Sequence, residues 1–336
     1  MGMVKTSEIP GFVDLQVNGY RGVDFSSPEL SGEAFVFACG ELKRAGTAAF
    51  LPTLITCPIE VYERNLPLIS RLIEDREIGY QVPGIHLEGP FLSPEEGARG
   101  IHSSSLIHKP DIALFDRLQD LTGGKIRLIT IAAETEGAAE LARHAVSRGV
   151  AVSLGHQLAS EEELKSLAEA GALSLTHFGN GIPIHIHRHR NPLWAGLSVE
   201  ELTAMIVTDG HHLPDSLVRV ILRVKGIEKT VVVSDASPVA GMEPGRYRWM
   251  GIDVKLEENG YLHEAQGPYL AGSSSTMLQC MNHLASLRMF DLEDLIQIGL
   301  RNPLRLIGAD LPKSAGVSVR FEQRKGVFTV KRSSLT

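Results

Sequence analysis

The sequence is short of several things, and each shortage removes a class of explanation. It has only three cysteines in 336 residues, Cys39, Cys57 and Cys280, far apart and without a C-x-x-C pair. That spacing offers neither a disulfide framework nor a thiolate metal site, and it fits a reducing, cytoplasmic compartment. No apolar run approaches the roughly 20 residues needed to cross a bilayer, and the first six residues, Met1 to Thr6, carry no apolar signal core. Positive charge is not in excess: 33 basic residues stand against 40 acidic ones, a net charge of −7 with histidine neutral. A general nucleic-acid or anionic-membrane partner, which needs a basic face, is therefore not expected, although a local basic cluster can still receive a small anion. There is no G-x-G-x-x-G after an early strand, which removes the dinucleotide fingerprint, and no G-x-S-x-G elbow. Ser273–Ser275 accordingly reads as the start of a helix rather than as a nucleophile.

What is present is a rhythm. Apolar, β-branched runs occur at Phe12–Val17, Ala48–Ile55, Val82–Leu87, Ile126–Ala132, Val150–Leu154, Leu173–Thr176, Ala204–Thr208 and Thr230–Ser234. Between them lie segments of helical pattern, among them Gly32–Ala45, Val61–Glu74, Glu136–Ser147, Glu161–Ala170 and Pro214–Lys225. Strands apolar on both faces and alternating with helices imply a covered parallel sheet. Eight such units in one chain fit a closed (β/α)8 (TIM) barrel of the α/β class better than an open sheet. The expected organisation is a barrel over 10–308, with a hairpin inserted at 241–270 that turns at Glu258-Asn259-Gly260. Residues 1–9 and 309–336 form a small accessory β region, with a tail hairpin of Val317–Phe321 and Gly326–Lys331.

Chemistry in such barrels sits at the carboxyl ends of the strands. Here the strands end in Gln16-Val17-Asn18, His86-Leu87-Glu88, Gly155-His156, Thr176-His177, Asp209-Gly210-His211-His212 and Ser234-Asp235. A lone strand-end histidine is most often structural, and His86 and His211 are read as either structural or supporting residues behind the site. Glu88, His156 and His177 together make a borderline N/O set suited to zinc, with a coordination position left for water. An aspartate across that water, Asp235, can take its proton and return it to a leaving nitrogen. The set describes a hydrolytic apparatus without a covalent nucleophile.

These motifs carry a resemblance. P-G-F-V-D-L-Q-V-N-G (10–19), H-L-E-G-P-F (86–91), R-G-I-H (99–102), S-L-G-H (153–156), L-T-H-F (175–178), T-D-G-H-H (208–212), S-D-A-S-P-V-A-G (234–241) and R-N-P-L-R-L-I-G (301–308) appear in this order. The chain resembles the amidohydrolase superfamily and, within it, the N-acetylglucosamine-6-phosphate deacetylases. The resemblance implies Glu88, His156 and His177 as ligands of one divalent metal, Zn2+ first, with Fe2+, Mn2+ or Co2+ as alternatives. It implies Asp235 as acid/base and His102 as the histidine that polarises the amide carbonyl. Asn180, the backbone N–H of Gly181, and His212 are implied in binding the sugar phosphate. Gln16 and Asn18 occupy positions where many amidohydrolases carry two histidines for a second metal, so a single metal is expected. A family arginine that reaches across a homodimer to the substrate phosphate matches Arg190, with Arg188 as the other choice. Both lie in the unusual run H-I-H-R-H-R (185–190), which otherwise reads as a solvated loop.

The chain departs from the family's pattern in T-H-F-G-N-G-I after the sixth strand, and in lacking the usual amino-terminal strands and tail motif. Either the accessory sandwich is reduced or the gene begins upstream. The expected activity is deacetylation of N-acetylglucosamine 6-phosphate. Alternative substrates are N-acetylgalactosamine 6-phosphate or an unphosphorylated acetylamino sugar. A silent sugar-phosphate-binding protein is the remaining alternative.

Overall fold

The computed structural model describes residues 6–310 and 317–331. Parts of the amino-terminal and tail expectations, at 1–5, 311–316 and 332–336, lie outside the described residues. Eight parallel strands form the central sheet in sequence order: β1 (Phe12–Val17), β2 (Thr47–Ile55), β3 (Ile85–Glu88), β4 (Ile126–Ile131), β5 (Ala151–Leu154), β6 (Ala172–Leu175), β7 (Thr203–Val207) and β8 (Thr230–Val233). Nearly every residue of these strands is buried, as expected where one face lines a filled barrel and the other lies under helices.

The seam between β1 and β8 closes just beyond the end of β8. Val17 pairs in parallel with Ala236, and Asn18 N–H donates to the Ala236 carbonyl at 2.7 Å. Beneath that, the buried Asp14 carboxylate accepts from the Ser234 N–H at 3.1 Å and from the Ser234 hydroxyl. A polar clasp thus ties the first strand to the last, directly under Asp235.

The helices begin where the sequence supplies caps. Ser31 accepts from Ala34 N–H ahead of Gly32–Arg44, and Ser160 forms a reciprocal capping box with Glu163 ahead of Glu161–Glu169. After Ser273–Ser275 the helix Met277–Ser286 starts one residue later than that run, with Thr276 as its cap.

Two additions flank the barrel. The segment read as a hairpin is a three-stranded antiparallel meander, Gly245–Trp249, Ile252–Leu256 and Leu262–Glu264. The Glu258–Gly260 turn joins its last two strands. The first turn, Met250-Gly251, runs at φ 51° and 78°, which a methionine disguises in the sequence. Trp249, Val254, Leu256 and Leu262 pack with Ile55 and Val239 into a second small core at the barrel mouth. The other addition pairs Thr6–Pro10 with Ser318–Glu322, which in turn pairs with Val327–Val330. Phe328 meets Phe12, the first residue of β1, edge-on at 5.0 Å. This sheet therefore covers the amino ends of the strands, away from the site.

Candidate metal centre and active site

Where β3, β5, β6 and β8 end, the backbone turns sharply and delivers polar side chains inward. His156, His177 and Asp235 each follow a strand end, and each takes a positive φ, 50°, 28° and 52°. Three non-glycine residues in that costly region mark strain held in place by the surrounding structure, as happens at functional sites.

Glu88, His156 and His177 converge, with their ligand atoms all within 4.8 Å of one another and all three residues buried. His177 Nε2 lies 2.9 Å from Glu88 Oε1 and 3.0 Å from His156 Nε2, and His156 Nε2 lies 3.3 Å from the same carboxylate oxygen. His156 Nδ1 faces the Ala98 carbonyl at 2.8 Å, so its proton belongs there and its Nε2 presents a lone pair to the cluster. Two imidazole nitrogens and a carboxylate oxygen directed at one point could hold a cation between them. The donor set fits one: borderline nitrogen and oxygen donors, three from the protein, suit a zinc-like divalent ion with an open position.

Burial alone would push the Glu88 carboxyl upward, yet hydrogen bonds and charge from His156 and His177 hold it well below the usual carboxylate range. Burial likewise opposes a charged His177, but Glu88 raises it above the ordinary imidazole value. Asp235 behaves oppositely. Burial, then the negative charge of Glu88, raises its carboxyl above the usual range, a direction that suits a group passing a proton in and out.

Gln16 and Asn18 do something the sequence did not disclose. Gln16 Nε2 donates to Glu88 Oε1 at 2.8 Å, and Asn18 Nδ2 donates to Asp235 Oδ1 at 2.8 Å. The two carboxamides hold the two carboxylates in place from the end of β1 and the residue that follows it. His102, on the loop after β3, packs edge-on against His156 with ring centroids 4.4 Å apart. Burial, reinforced by His156, lowers it to about 3, so it is a neutral imidazole with an N–H to offer.

A cavity of about 400 Å³ opens above these groups. Glu88, His102, His156, His177 and Asp235 lie at its floor, with Asn180, Gly181 and His212 among the lining residues. Gly181 is confined: at φ 62°, a Cβ there would come within 2.9 Å of His156 Nδ1. The meander contributes Trp249, Tyr261 and Met250 to the opposite wall, and Tyr269 follows it; no sequence motif identified these. His212 turns toward Asp235, with Nε2 3.7 Å from Oδ2, while its Nδ1 faces Asp209 Oδ2 at 2.8 Å. The sequence placed Asp209 at a strand end, in D-G-H-H, without giving it a role. Arg188 and Arg190 are exposed and lie outside this cavity, and among the described residues no lysine or arginine lines it. His86 is structural, as read: burial lowers it to about 4, and it bonds to the Leu15 carbonyl and Thr130 within the barrel.

No family model matches the chain. Among curated proteins it is 30% identical over 304 residues to the N-acetylgalactosamine-6-phosphate deacetylase of Escherichia coli O157:H7, covering 90% of this chain and 78% of that one. It is 31% identical over 318 residues to the N-acetylglucosamine-6-phosphate deacetylase of Bos taurus, covering 90% and 75%. Among solved structures, a single-substitution variant of N-acetyl-D-glucosamine-6-phosphate deacetylase from Mycobacterium smegmatis, in complex with N-acetyl-D-glucosamine 6-phosphate, superposes with a TM-score of 0.86 at 26% identity. That match covers 97% of this chain and 86% of the other. The Thermotoga maritima enzyme of the same name gives 0.82 at 25% identity, covering 97% and 87%. Among the described residues no helix is long and apolar enough to cross a membrane.

Proposed function

The chain belongs to the N-acetylated hexosamine-6-phosphate deacetylases of the amidohydrolase type, and from that we propose that it hydrolyses the acetamide of N-acetylglucosamine 6-phosphate to glucosamine 6-phosphate and acetate. The observation that carries the reading is the meeting of Glu88, His156 and His177 with Asp235 on the floor of one cavity, in a chain this similar to such deacetylases.

Glu88, His156 and His177 would hold one divalent ion, Zn2+ being the choice that the donor set favours over Fe2+, Mn2+ or Co2+. When bound, it supplies Lewis acidity that brings the pKa of water down to about 7. Asp235, its carboxylate steadied by Asn18, accepts the proton of the attacking water. The new C–O bond forms at the acetamide carbon, and the neutral His102 offers an N–H to the oxygen as negative charge gathers there. Protonated Asp235 then gives its proton to the sugar nitrogen, the C–N bond breaks, and acetate and the free amine leave. Asn180, the Gly181 backbone and His212 are the groups on hand to seat the sugar.

A phosphate needs positive charge, and among the described residues no lysine or arginine lines the cavity. This supports a homodimer in which Arg190, or Arg188, of one subunit reaches the other's substrate. The free cysteines and a sugar-phosphate substrate suit the cytoplasm. The organisation that accompanies this reading is a catalytic barrel over 10–308 with a small β appendage from both termini.

The similarity to the galactosamine enzyme, and the G-N-G-I departure after His177, keep N-acetylgalactosamine 6-phosphate as a second substrate reading. Acetate release from both phosphorylated sugars and from plain N-acetylglucosamine decides between them. The fastest turnover is expected on N-acetylglucosamine 6-phosphate. No acetate from any of the three overturns the enzyme reading in favour of a silent binding protein.

A further inference from the structure

The turn after β7 builds a structure that the deacetylation chemistry above does not use. The Asp209 side chain is only 2% exposed, and every contact of its carboxylate is a donor. Oδ1 accepts the backbone N–H groups of His211 and His212 at 2.8 and 2.9 Å. Oδ2 accepts the Ser273 hydroxyl at 2.7 Å and His212 Nδ1–H at 2.8 Å. Gly210, at φ 82°, makes the tight reversal that lets the carboxylate reach both N–H groups. Burial works against ionisation of Asp209, yet the charge and hydrogen bonds of His212 and those N–H groups hold it well below the usual carboxylate range. A buried anion with four donors is a rigid seat. The residue it seats is His212, whose Nε2 stands 3.7 Å from Asp235 Oδ2.

We propose that Asp209, held by Ser273, is a positioning residue for the deacetylation: it fixes His212 as the Nδ1–H tautomer with Nε2 directed at Asp235. The inference rests on the functional reading above. The physical reason is the tautomer. With Nδ1–H committed to Asp209, His212 can offer Nε2 as an acceptor to protonated Asp235. If the imidazole takes that proton, Asp209 stabilises the cation. The proton that Asp235 takes from water is thus stabilised on either side of one short gap until it leaves on the amine nitrogen. None is consumed or created. Separations of this kind are often long before substrate binds and tighten in the complex.

Asp209→Asn separates this role from simple scaffolding. The amide keeps an oxygen for the two backbone N–H groups but turns an NH2 toward His212, which forces the opposite tautomer. The 15N spectrum of the histidines, with the His212 signal identified by its loss in His212→Ala, should show Nδ1 protonated in the wild type and Nε2 protonated in Asp209→Asn. In the same variant kcat should fall about 100-fold while metal content and melting temperature stay close to wild type. In the His212→Ala background the Asn substitution should cost nothing further, because its effect passes through the missing ring.

If Asp209→Asn does not fold, Ser273→Ala, which removes one donor from the same carboxylate, serves. It should lower kcat about fivefold, and that loss should vanish when His212 is alanine. An unchanged His212 tautomer in Asp209→Asn, or losses that multiply in either double variant, overturns the proposal. A wild-type protein that releases no acetate sinks the functional reading, and the tautomer measurement reports on the seat independently of turnover.

Discussion

At the scale of single residues, the proposed site divides into groups that would hold a metal and a group that would transfer a proton. Glu88, His156 and His177 point lone pairs at a common centre, whereas Asp235 stands beside them on a separate tether from Asn18. The two sets should therefore fail differently. Asp235→Asn is expected to keep its metal and lose about 10³-fold or more in kcat, read by acetate release and metal analysis on one sample. His177→Ala should lose the metal itself, since it removes one of three donors; a full complement of metal in that variant refutes the ligand assignment. The residues of this floor were legible because polar types at the ends of apolar runs have few structural excuses. The roles of Gln16 and Asn18 were not legible. A sequence shows that a carboxamide is a poor metal ligand, but not that its N–H2 reaches a carboxylate 72 or 217 positions away.

At the scale of elements, the period of the apolar pattern carried the eight barrel strands, because a strand buried on both faces has a composition that helices and loops do not share. The insertion was harder to read. Its strands are half exposed, and its first turn uses Met250 rather than an asparagine or a second glycine, so the three-stranded meander looked like a hairpin. Its contribution of Trp249 and Tyr261 to the cavity wall comes from packing over the barrel mouth, which no local pattern records.

The closing seam makes a further prediction. Asp14 is fully enclosed between β1 and Ser234, and burial, only partly offset by the Ser234 hydroxyl, raises its carboxyl to about 7. The unfolded chain releases this proton near ~3.9, so between those values the folded form binds more protons. The stabilising contribution of Asp14 is complete below about 4 and is lost as pH rises through about 7. Urea unfolding at several pH values should show the wild type losing stability across this window relative to Asp14→Asn. Parallel curves for the two proteins contradict the assignment.

At the scale of the whole molecule, the two β additions sit at opposite ends of the barrel and serve different purposes. The terminal sheet packs Phe328 onto Phe12 at the amino ends of the strands, and the meander walls the cavity at the carboxyl ends. Among the described residues, none of the terminal sheet lines the cavity. No lysine or arginine among the described residues lines the cavity either, which is what motivates the proposal that the exposed run at 185–190 of a second subunit meets the phosphate. Everything said of turnover depends on a single ion at one place. The most direct measurement is anomalous diffraction at the zinc edge from crystals grown with zinc. The account predicts one peak per chain, bounded by Glu88, His156 and His177, with Gln16 and Asn18 left to their carboxylates. A peak elsewhere, no peak, or a second peak beside Gln16 and Asn18 contradicts it.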